Sequence, residues 1–540
     1  MQQEYLPFKN TGYFSSLICD YLDERSDLKP FYNRFPNIKN VKAQIDEKRS
    51  AFEQSGGGIS KTNRKVLTEV LQCQYTNVEV SELTSQNIEH LNSENTFTIT
   101  TGHQLNLFTG PLYFLYKIVS AINLSNQLKE AYPEYNFVPV YWMATEDHDF
   151  DEINYFNFKG KKFQWNRSSS GAVGELSTEG LDAVLELFSQ DLGASNNAQG
   201  LKKLFENAYL THTNLTDATR FLANELFKDY GLVIIDASAT NLKRLFLPYV
   251  EKELINQVSY KSVSVTNKTL AEVDEAYKIQ VNPREINLFY LKDNIRERIV
   301  FEDGNYKVLN TKIIWSEGAI LKHLREAPER FSPNVIMRPL YQEVILPNLC
   351  YIGGGGELAY WLQLKSYFDA VNIQFPILLL RNSVLVKSEK QSKKLDNLNI
   401  SNEDIFLKRD TFINKKVRQI SNIDIDFSPK KELLTQQFRA LYKLAEQTDK
   451  SFYGAVKAQE QKQLKGLKKL EQRLLQAQKR KLSDEVSRMV EIQNQLFPNG
   501  SLQERNANFS EFYLEYGERL IPLLVSALDP LHQQFSILTI

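Results

Sequence analysis

The chain has 540 residues, with 65 lysine and arginine residues against 66 aspartate and glutamate residues. The formal net charge of −1 excludes a surface that is basic overall, so a nucleic-acid partner is not expected. A hydrophobic fraction of 42% and a charged fraction of 24% exclude a disordered or collagen-like chain. At roughly 100–200 residues per domain, the length predicts about three or four structural units.

The cysteines and the apolar runs predict a protein of the reducing cytoplasm. Cys19, Cys73 and Cys350 are far apart and form no CxxC pair, so neither a disulfide framework nor a thiolate zinc site is expected. The N-terminus lacks the basic patch and apolar run of a signal peptide. No apolar run approaches the about 18 residues that a membrane-spanning helix needs. We therefore expect no membrane partner.

The most readable stretch of the chain begins at Thr96. Residues 96–100 are β-branched or aromatic and predict a buried strand that stops at Gly102. Apolar residues then recur from Leu112 with a period near 3.6, which predicts a helix, and residues 137–143 predict a second strand. This strand–helix–strand order indicates a parallel βαβ unit.

Two later apolar runs extend the predicted sheet. Residues 232–236 and 377–381 are continuous and apolar, as expected of strands covered on both faces. Between them, four glycines at 353–356 open a predicted helix over 357–368. The fold class is therefore α/β with a parallel sheet that is assembled from distant segments, and the segments at about 150–230 and 240–350 are predicted to be insertions.

The region from about 384 to 500 has the pattern of a helical coiled coil. Ser428 and Pro429 have the pattern of a helix cap followed by proline at the first helical position. Apolar residues follow at alternating spacings of four and three, first from Leu434 and again from Leu467. Because these stripes are narrow, the helices are expected to pair with each other or with a second subunit. Residues 501–540 predict a helical segment that returns to the core.

Two threonine–glycine turns bracket the passage from the first strand to its helix. The carboxyl edge of a parallel sheet is where such folds bind ligands, so both turns are expected there. Glycine allows the backbone to approach a ligand, free amides at a helix start can hold an anion, and histidine can donate a proton or hydrogen bond. Two tight turns with a surface imidazole would look the same. The candidate residues are Thr101, Gly102, His103, Gln104, Thr109 and Gly110.

The densest polar cluster in the sequence directly follows the second strand. It holds five carboxylates and one imidazole within seven residues, 146–152. Such a set could bind a divalent metal or an ammonium group, act as general acid and base, or merely form an acidic loop with a helix cap. No metal is predicted, because no HExxH or CxxC spacing is present. The candidate residues are Glu146, Asp147, His148 and Asp149.

A third candidate group lies further along the chain. The glycines at 353–356 place backbone amides at a helix start, where an anion is stabilised. No Gly-Lys-Ser/Thr or GxGxxG pattern follows, which excludes a P-loop or a dinucleotide fingerprint. Two arginines near the same predicted edge could bind carboxylates. The candidate residues are Gly353, Gly354, Glu357, Arg338 and Arg381.

Together these motifs resemble the family of the bacillithiol biosynthesis cysteine-adding enzyme, BshC. The resemblance extends over essentially the whole chain, from TGHQ at 101–104 and EDHDF at 146–150 to LFPNG at 496–500. It implies a Rossmann-like core at 1–383 that is similar to class I aminoacyl-tRNA synthetases, a coiled-coil domain at 384–500, and a homodimer formed through that coiled coil.

The resemblance also implies an activity, the joining of L-cysteine to glucosaminyl-malate by an amide bond, with ATP as a possible activator of the carboxyl group. Residues 101–104 would occupy the place of the synthetase HIGH signature, with His103 in a hydrogen-bonding role. Glu146, Asp147 and His148 would hold the cysteine ammonium or accept the proton of the attacking amine, and the glycines near 353 would line the pocket. Arg338 and Arg381 would bind the malate carboxylates.

Two other classes of function remain open from the residues alone. One is a non-catalytic coiled-coil interaction protein with a degenerate nucleotide-binding core. The other is a metal-dependent hydrolase that uses Asp147, His148 and Asp149. A ligase, an interaction protein and a hydrolase would each need a different arrangement of the side chains in the acidic loop.

Overall fold

A central five-stranded parallel sheet organises the protein. The structure is a computed structural model that describes residues 2–55 and 60–540. Each strand of this sheet runs parallel to its neighbours, so all five carboxyl ends lie at one edge. In spatial order the strands are Ile377–Leu380, Asn348–Gly353, Thr96–His103, Asn136–Met143 and Val233–Asp236. The α/β class and the predicted strands are confirmed.

Apolar side chains cover both faces of this sheet. Phe97 and Ile99 pack into a cluster with Leu124 and Leu128 of the crossover helix, Tyr113–Ala131. A second and larger cluster covers the other face and continues into the rest of the molecule. Burial on both faces explains why these strands have continuous rather than alternating apolar sequences.

The segment before the first core strand and the segments that connect the core strands are mainly helical. The predicted helix over 357–368 is wrong in one respect, because the chain forms two short helices there, Gly355–Trp361 and Lys365–Ala370. The other helices up to residue 383 are Phe8–Thr11, Ser16–Leu22, Ile38–Ser55, Lys61–Gln74, Glu82–His90, Phe150–Ile153, Leu181–Leu192, Asn196–Tyr209, Leu215–Phe227, Thr240–Asn256, Val258–Val273, Glu317–Glu326 and Arg338–Ile345.

The segments before and after the strand Val233–Asp236, at about 150–230 and 240–350, each form a small sheet of their own. Tyr155–Phe158 and Lys161–Gln164 make a hairpin. A five-stranded antiparallel sheet lies beside the carboxyl edge of the core, since Ser332 donates a hydrogen bond to Glu146 at 3.1 Å. Its strands in spatial order are Ile314–Trp315, Asn305–Val308, Ile295–Glu302, Leu288–Lys292 and Phe331–Pro333.

The helical region contains a long hairpin of two helices, Ser428–Ala445 and Lys450–Lys481. Phe438, Ala445 and Val456 pack between them, which confirms that these helices pair. Ser428 is the first residue of its helix rather than the cap, which is Phe427. The other helices of this region are Glu389–Asn397, Arg409–Ile420, Ser483–Leu496, Gln503–Asn506, Phe509–Tyr516 and Leu520–Ala527.

A three-stranded sheet joins the two ends of the chain. Phe535–Thr539 pairs with Gln2–Leu6 on one side and with Val384–Lys387 on the other. The sequence analysis predicted only helix after residue 501 and missed this last strand. Among residues 2–55 and 60–540, no helix combines the length and the apolar character needed to cross a bilayer.

Candidate functional site

The two candidate loops that follow the first and second strands meet at the carboxyl edge of the sheet. Gln104 donates a hydrogen bond to Asp147 and another to Glu152, each at 3.0 Å. The backbone amide of Ala144 donates to the carbonyl of His103 at 3.0 Å. Residues 43 positions apart are therefore in direct contact.

His103 ends the central strand in a buried and electropositive environment. Its pKa is lowered well below the usual value, first by burial and then by the charges of Lys117 and Arg381, while a hydrogen bond to the Thr109 backbone opposes this shift. The ring packs against Tyr113, with 5.5 Å between centroids. The imidazole is therefore neutral, and its buried Nε2 lacks a hydrogen-bond partner among the described residues.

Lys117 is a central member of the site that the sequence analysis did not select. Its side chain is only 4% exposed, and Nζ lies 2.6 Å from the Glu357 carboxylate. Nζ also donates to the carbonyl of Gly102 at 2.6 Å. Burial lowers the pKa of Lys117, and the pair with Glu357 opposes that shift. The ion pair thus connects the end of the central strand to the helix that begins at Gly355.

Glu357 is held by several donors. It accepts hydrogen bonds from the hydroxyl of Tyr351 at 2.7 Å and from the amide of Gly354 at 2.8 Å. Burial alone would raise the pKa of Glu357, but Lys117 and these hydrogen bonds lower it overall. Glu357 is therefore an ionised group that fixes the glycine turn, and it is not a proton donor near neutral pH.

Close packing explains two of the glycines at this edge. A Cβ atom on Gly102 would lie 3.2 Å from the hydroxyl oxygen of Tyr351. A Cβ atom on Gly353 would lie 2.9 Å from a methyl carbon of Leu358. Neither position leaves room for a side chain without movement of its neighbours, so the backbone lines the site directly.

The other predicted residues of the two threonine–glycine turns hold the backbone in place. Thr101 is fully buried and donates its hydroxyl to the carbonyl of Ile352 at 2.8 Å, which ties two strands together. Thr109 and Gly110 both have positive φ angles, +68° and +62°. They form the tight turn that leads into the crossover helix, and the Thr109 backbone contacts His103.

The two arginines differ in what surrounds them. The guanidinium of Arg338 stacks near the rings of Trp142 and Tyr351, at 5.7 and 5.6 Å from their centroids. It donates to the side-chain oxygen of Gln342 and makes no ion pair within the described residues. Arg381 instead forms a buried ion pair with Glu504 at 2.8 Å. Arg338 therefore has the more available positive charge.

The side chains of the acidic loop contact different partners. Glu146 forms an ion pair with the buried Lys243 at 2.6 Å. His148 is 46% exposed and its ring contacts the guanidinium of Arg296. Asp149 is exposed and lies just before the helix Phe150–Ile153.

Asp147 is the acidic residue with the strongest stabilisation of its charge. Burial tends to raise its pKa, but hydrogen bonds from His148 and Gln104 and the charge of Arg296 lower it well below the usual value. The carboxylate is therefore ionised near neutral pH and suits an ammonium partner better than a proton-accepting role.

A polar cleft of about 660 Å³ opens beside the acidic loop. It runs from the carboxyl ends of the strands Asn136–Met143 and Val233–Asp236 towards the antiparallel sheet. Its lining includes Glu146, Asp236, Asp217, Asp293 and Arg330. Of the predicted site residues only Glu146 lines this cleft, which has space for a small polar substrate beside the acidic loop.

The hydrolase alternative assigned metal ligation to the acidic loop. Asp147 is bonded to Gln104 and to the His148 amide, whereas the His148 ring faces Arg296. No three His, Cys, Asp or Glu side chains converge as a metal-ligand set in the part of the chain that the structure describes. The geometry does not favour this alternative.

Taken together, the fold and the rim describe an α/β protein with a candidate small-molecule site at the carboxyl edge of a parallel sheet. Family comparison matches two regions of the chain. Residues 1–382 match the N-terminal Rossmann-like domain of bacillithiol biosynthesis BshC, and residues 384–540 match its C-terminal coiled-coil domain. The chain belongs to the BshC family.

Curated relatives match over their full length. A protein of Flavobacterium johnsoniae named "Putative cysteine ligase BshC" is 62% identical, with all of both chains covered. Proteins of the same name from Christiangramia forsetii and Cytophaga hutchinsonii are 59% and 38% identical, and at least 97% of each chain is covered. A solved structure from Campylobacter jejuni, titled "putative arginyl t-RNA synthetase", aligns with 86% of this chain and 98% of its own chain at 10% identity and a TM-score of 0.21.

Proposed function

We propose that this chain is a cysteine ligase of bacillithiol biosynthesis that joins the carboxyl group of L-cysteine to the amino group of glucosaminyl-malate. Membership of the BshC family supports the proposal. One structural observation carries it. The Gln104–Asp147 hydrogen bond, at 3.0 Å, brings the histidine turn and the acidic loop to one rim.

The charges around this rim are separated in a way that suits these substrates. Lys117, Arg338 and Arg381 lie on the side of the glycine turn, where a carboxylate or phosphate would be stabilised. Asp147 and the acidic cleft lie on the other side, where an ammonium group would be stabilised. Since Arg381 already pairs with Glu504, we assign a malate carboxylate to Arg338 first.

Formation of an amide in water needs an activated carboxyl group. We propose that the cysteine carboxylate attacks the α-phosphorus of ATP and releases pyrophosphate, and that the sugar amine then displaces AMP and loses one proton. Backbone amides at the start of helix Gly355–Trp361 suit the charge on such a phosphate, and Lys117, which pairs with Glu357, adds a cation beside them. The free Nε2 of neutral His103 suits a hydrogen bond from a substrate.

Purified protein supplied with cysteine, glucosaminyl-malate and ATP should therefore produce bacillithiol. Thiol labelling with mass spectrometry detects the product, and the appearance of AMP rather than ADP tests the activation step. Reactions without nucleotide are the control for ATP dependence. Cells without the gene should also lose bacillithiol, so a normal thiol pool in such cells would contradict the proposal.

We further propose that the protein acts as a homodimer in the cytoplasm. The paired helices Ser428–Ala445 and Lys450–Lys481 leave large apolar side chains exposed, which a second copy could cover. These residues are Leu433, Leu441, Leu444, Phe452, Tyr453 and Leu470. Its three cysteines are free thiols, as expected of a reducing compartment.

Sedimentation velocity should accordingly give twice the mass of one chain. Leu444→Glu, on the exposed face, should shift the protein to a monomer, because a charge would be buried in the interface. Leu187→Glu is the matched control, since Leu187 is equally exposed, at 57% against 56%, on a helix outside the hairpin. A monomeric wild-type protein would contradict the dimer.

A further inference from the structure

The loop at residues 107–110 has a backbone that its own residues do not favour. Phe108 and Thr109 have φ angles of +47° and +68°, in the left-handed region that side chains with a Cβ atom rarely adopt. Gly110 follows at +62°. Contacts from outside the loop must therefore stabilise this conformation.

Asn508 supplies such contacts from the C-terminal part of the chain. Its side-chain amide nitrogen donates to the carbonyl of Phe108 at 2.8 Å and to the carbonyl of Gly110 at 2.6 Å. The neighbouring carbonyl of Ala507 accepts a hydrogen bond from the amide of Leu112 at 2.8 Å. Asn508 is fully buried, so water cannot replace these bonds without opening the structure.

Both the oxygen and the nitrogen of the Asn508 side chain make two hydrogen bonds. Its oxygen accepts hydrogen bonds from the amide and the hydroxyl of Ser510, at 3.0 and 2.6 Å, and so caps the helix Phe509–Tyr516. Its amide nitrogen carries two N–H groups, and both donate to carbonyls of the loop. A single residue thus fixes a C-terminal helix and the loop at 107–110 in one arrangement.

This loop in turn contacts the candidate site. The Thr109 backbone lies near the His103 ring and opposes the lowering of the pKa of that ring. The crossover helix that begins after the loop carries Tyr113, whose ring packs on His103, and Lys117, which pairs with Glu357. A change in the loop would therefore alter the position of three groups at the rim.

We propose that Asn508 is a positioning residue for this site: its two hydrogen bonds to the loop at 107–110 set the orientation of the His103 ring. The inference rests on the proposed ligase function for its effect on catalysis. The residue lies in the segment that matches the coiled-coil domain of the family, so that segment completes a site built mainly by the N-terminal domain.

The test compares Asn508→Asp with a matched variant, Asn224→Asp, in the full-length protein. Asn508→Asp keeps an oxygen to cap the helix but cannot donate to the two carbonyls. Asn224 is also buried and donates to a backbone carbonyl, that of Glu79 at 2.9 Å, and within the described residues no hydrogen bond joins its side chain to the site. Asn508→Ser, a smaller polar residue that also caps helices, replaces Asn508→Asp if the latter does not fold.

Two readouts are measured. For Asn508→Asp, kcat should fall on the order of 10- to 100-fold with a smaller change in KM, because misplaced groups slow the chemical step. NMR of protein labelled at the histidine rings should show a changed His103 signal, which is assigned by its absence in His103→Gln. Asn224→Asp should leave both unchanged.

An unchanged His103 signal in both Asn508 variants would overturn the proposal, whatever happens to kcat. A kcat loss of the same size in Asn224→Asp would also overturn it, since the effect would then reflect general destabilisation. The NMR measurement needs no substrate. It therefore still decides the role of Asn508 if the wild-type protein makes no bacillithiol, which is the result that contradicts the proposed function itself.

Discussion

Lys117→Met should reduce ligase activity by at least about 100-fold, because it removes the cation at the centre of the rim. It should also destabilise the protein by about 3 kcal/mol, since it leaves the Glu357 carboxylate in a largely buried place without its partner. Lys117 and Glu357 are 4% and 26% exposed and lie 2.6 Å apart. Activity assays and denaturant unfolding measure the two effects separately.

A double variant separates stability from catalysis at this pair. Lys117→Met combined with Glu357→Gln removes both charges, so most of the lost stability should return while activity stays low. The exposed pair Lys322–Glu326 provides the control, and Lys322→Met should change stability by less than about 0.5 kcal/mol. Wild-type activity in Lys117→Met would contradict the assignment of this residue to the site.

Glu504→Leu should destabilise the protein by about 3–5 kcal/mol, which is the usual cost of leaving a buried charge without its partner. Arg381 and Glu504 are 3% and 1% exposed and lie 2.8 Å apart. Glu504 also accepts a hydrogen bond from the amide of Val384 at 3.0 Å. The pair therefore connects the C-terminal segment to the end of a core strand.

The same double-variant design applies to this second pair. Arg381→Met combined with Glu504→Leu should recover stability, because an apolar pair of similar size does not pay a desolvation cost. Glu326→Leu, at an exposed ion pair, is the control and should have little effect. If Glu504→Leu unfolds at the same denaturant concentration as the wild-type protein, the buried pair does not have the structural role assigned here.

Local patterns predicted much of the sheet and its edge. The strands at 96–103, 136–143, 233–236 and 377–380 correspond to apolar or β-branched runs, because a strand buried on both faces has few solvent-exposed positions. Cys350, which lies in an apolar stretch, is 1% exposed. Failures came where the pattern was short or ambiguous, as in the strand Phe535–Thr539 and the break after Trp361.

Sequence reasoning missed the partners of the candidate residues. Lys117 lies in a mostly buried helix, and this isolated charge in an apolar stretch was the available signal. Lys243, Arg296 and Glu504 had no such signal, because each lies in a mixed segment far along the chain from the group it contacts. Long-range pairing is not encoded in local spacing.

The sequence by itself determined the α/β class, the family resemblance and the loops that meet at the carboxyl edge, because strand periodicity and motif residues are local properties. Only the tertiary structure decided which groups at that edge are free. Thr101 bonds to a neighbouring strand, Arg381 is paired with Glu504, and the Nε2 of His103 is buried without a partner among the described residues, since burial and partners depend on segments that are far apart in the sequence. The charge separation across the rim follows from those contacts.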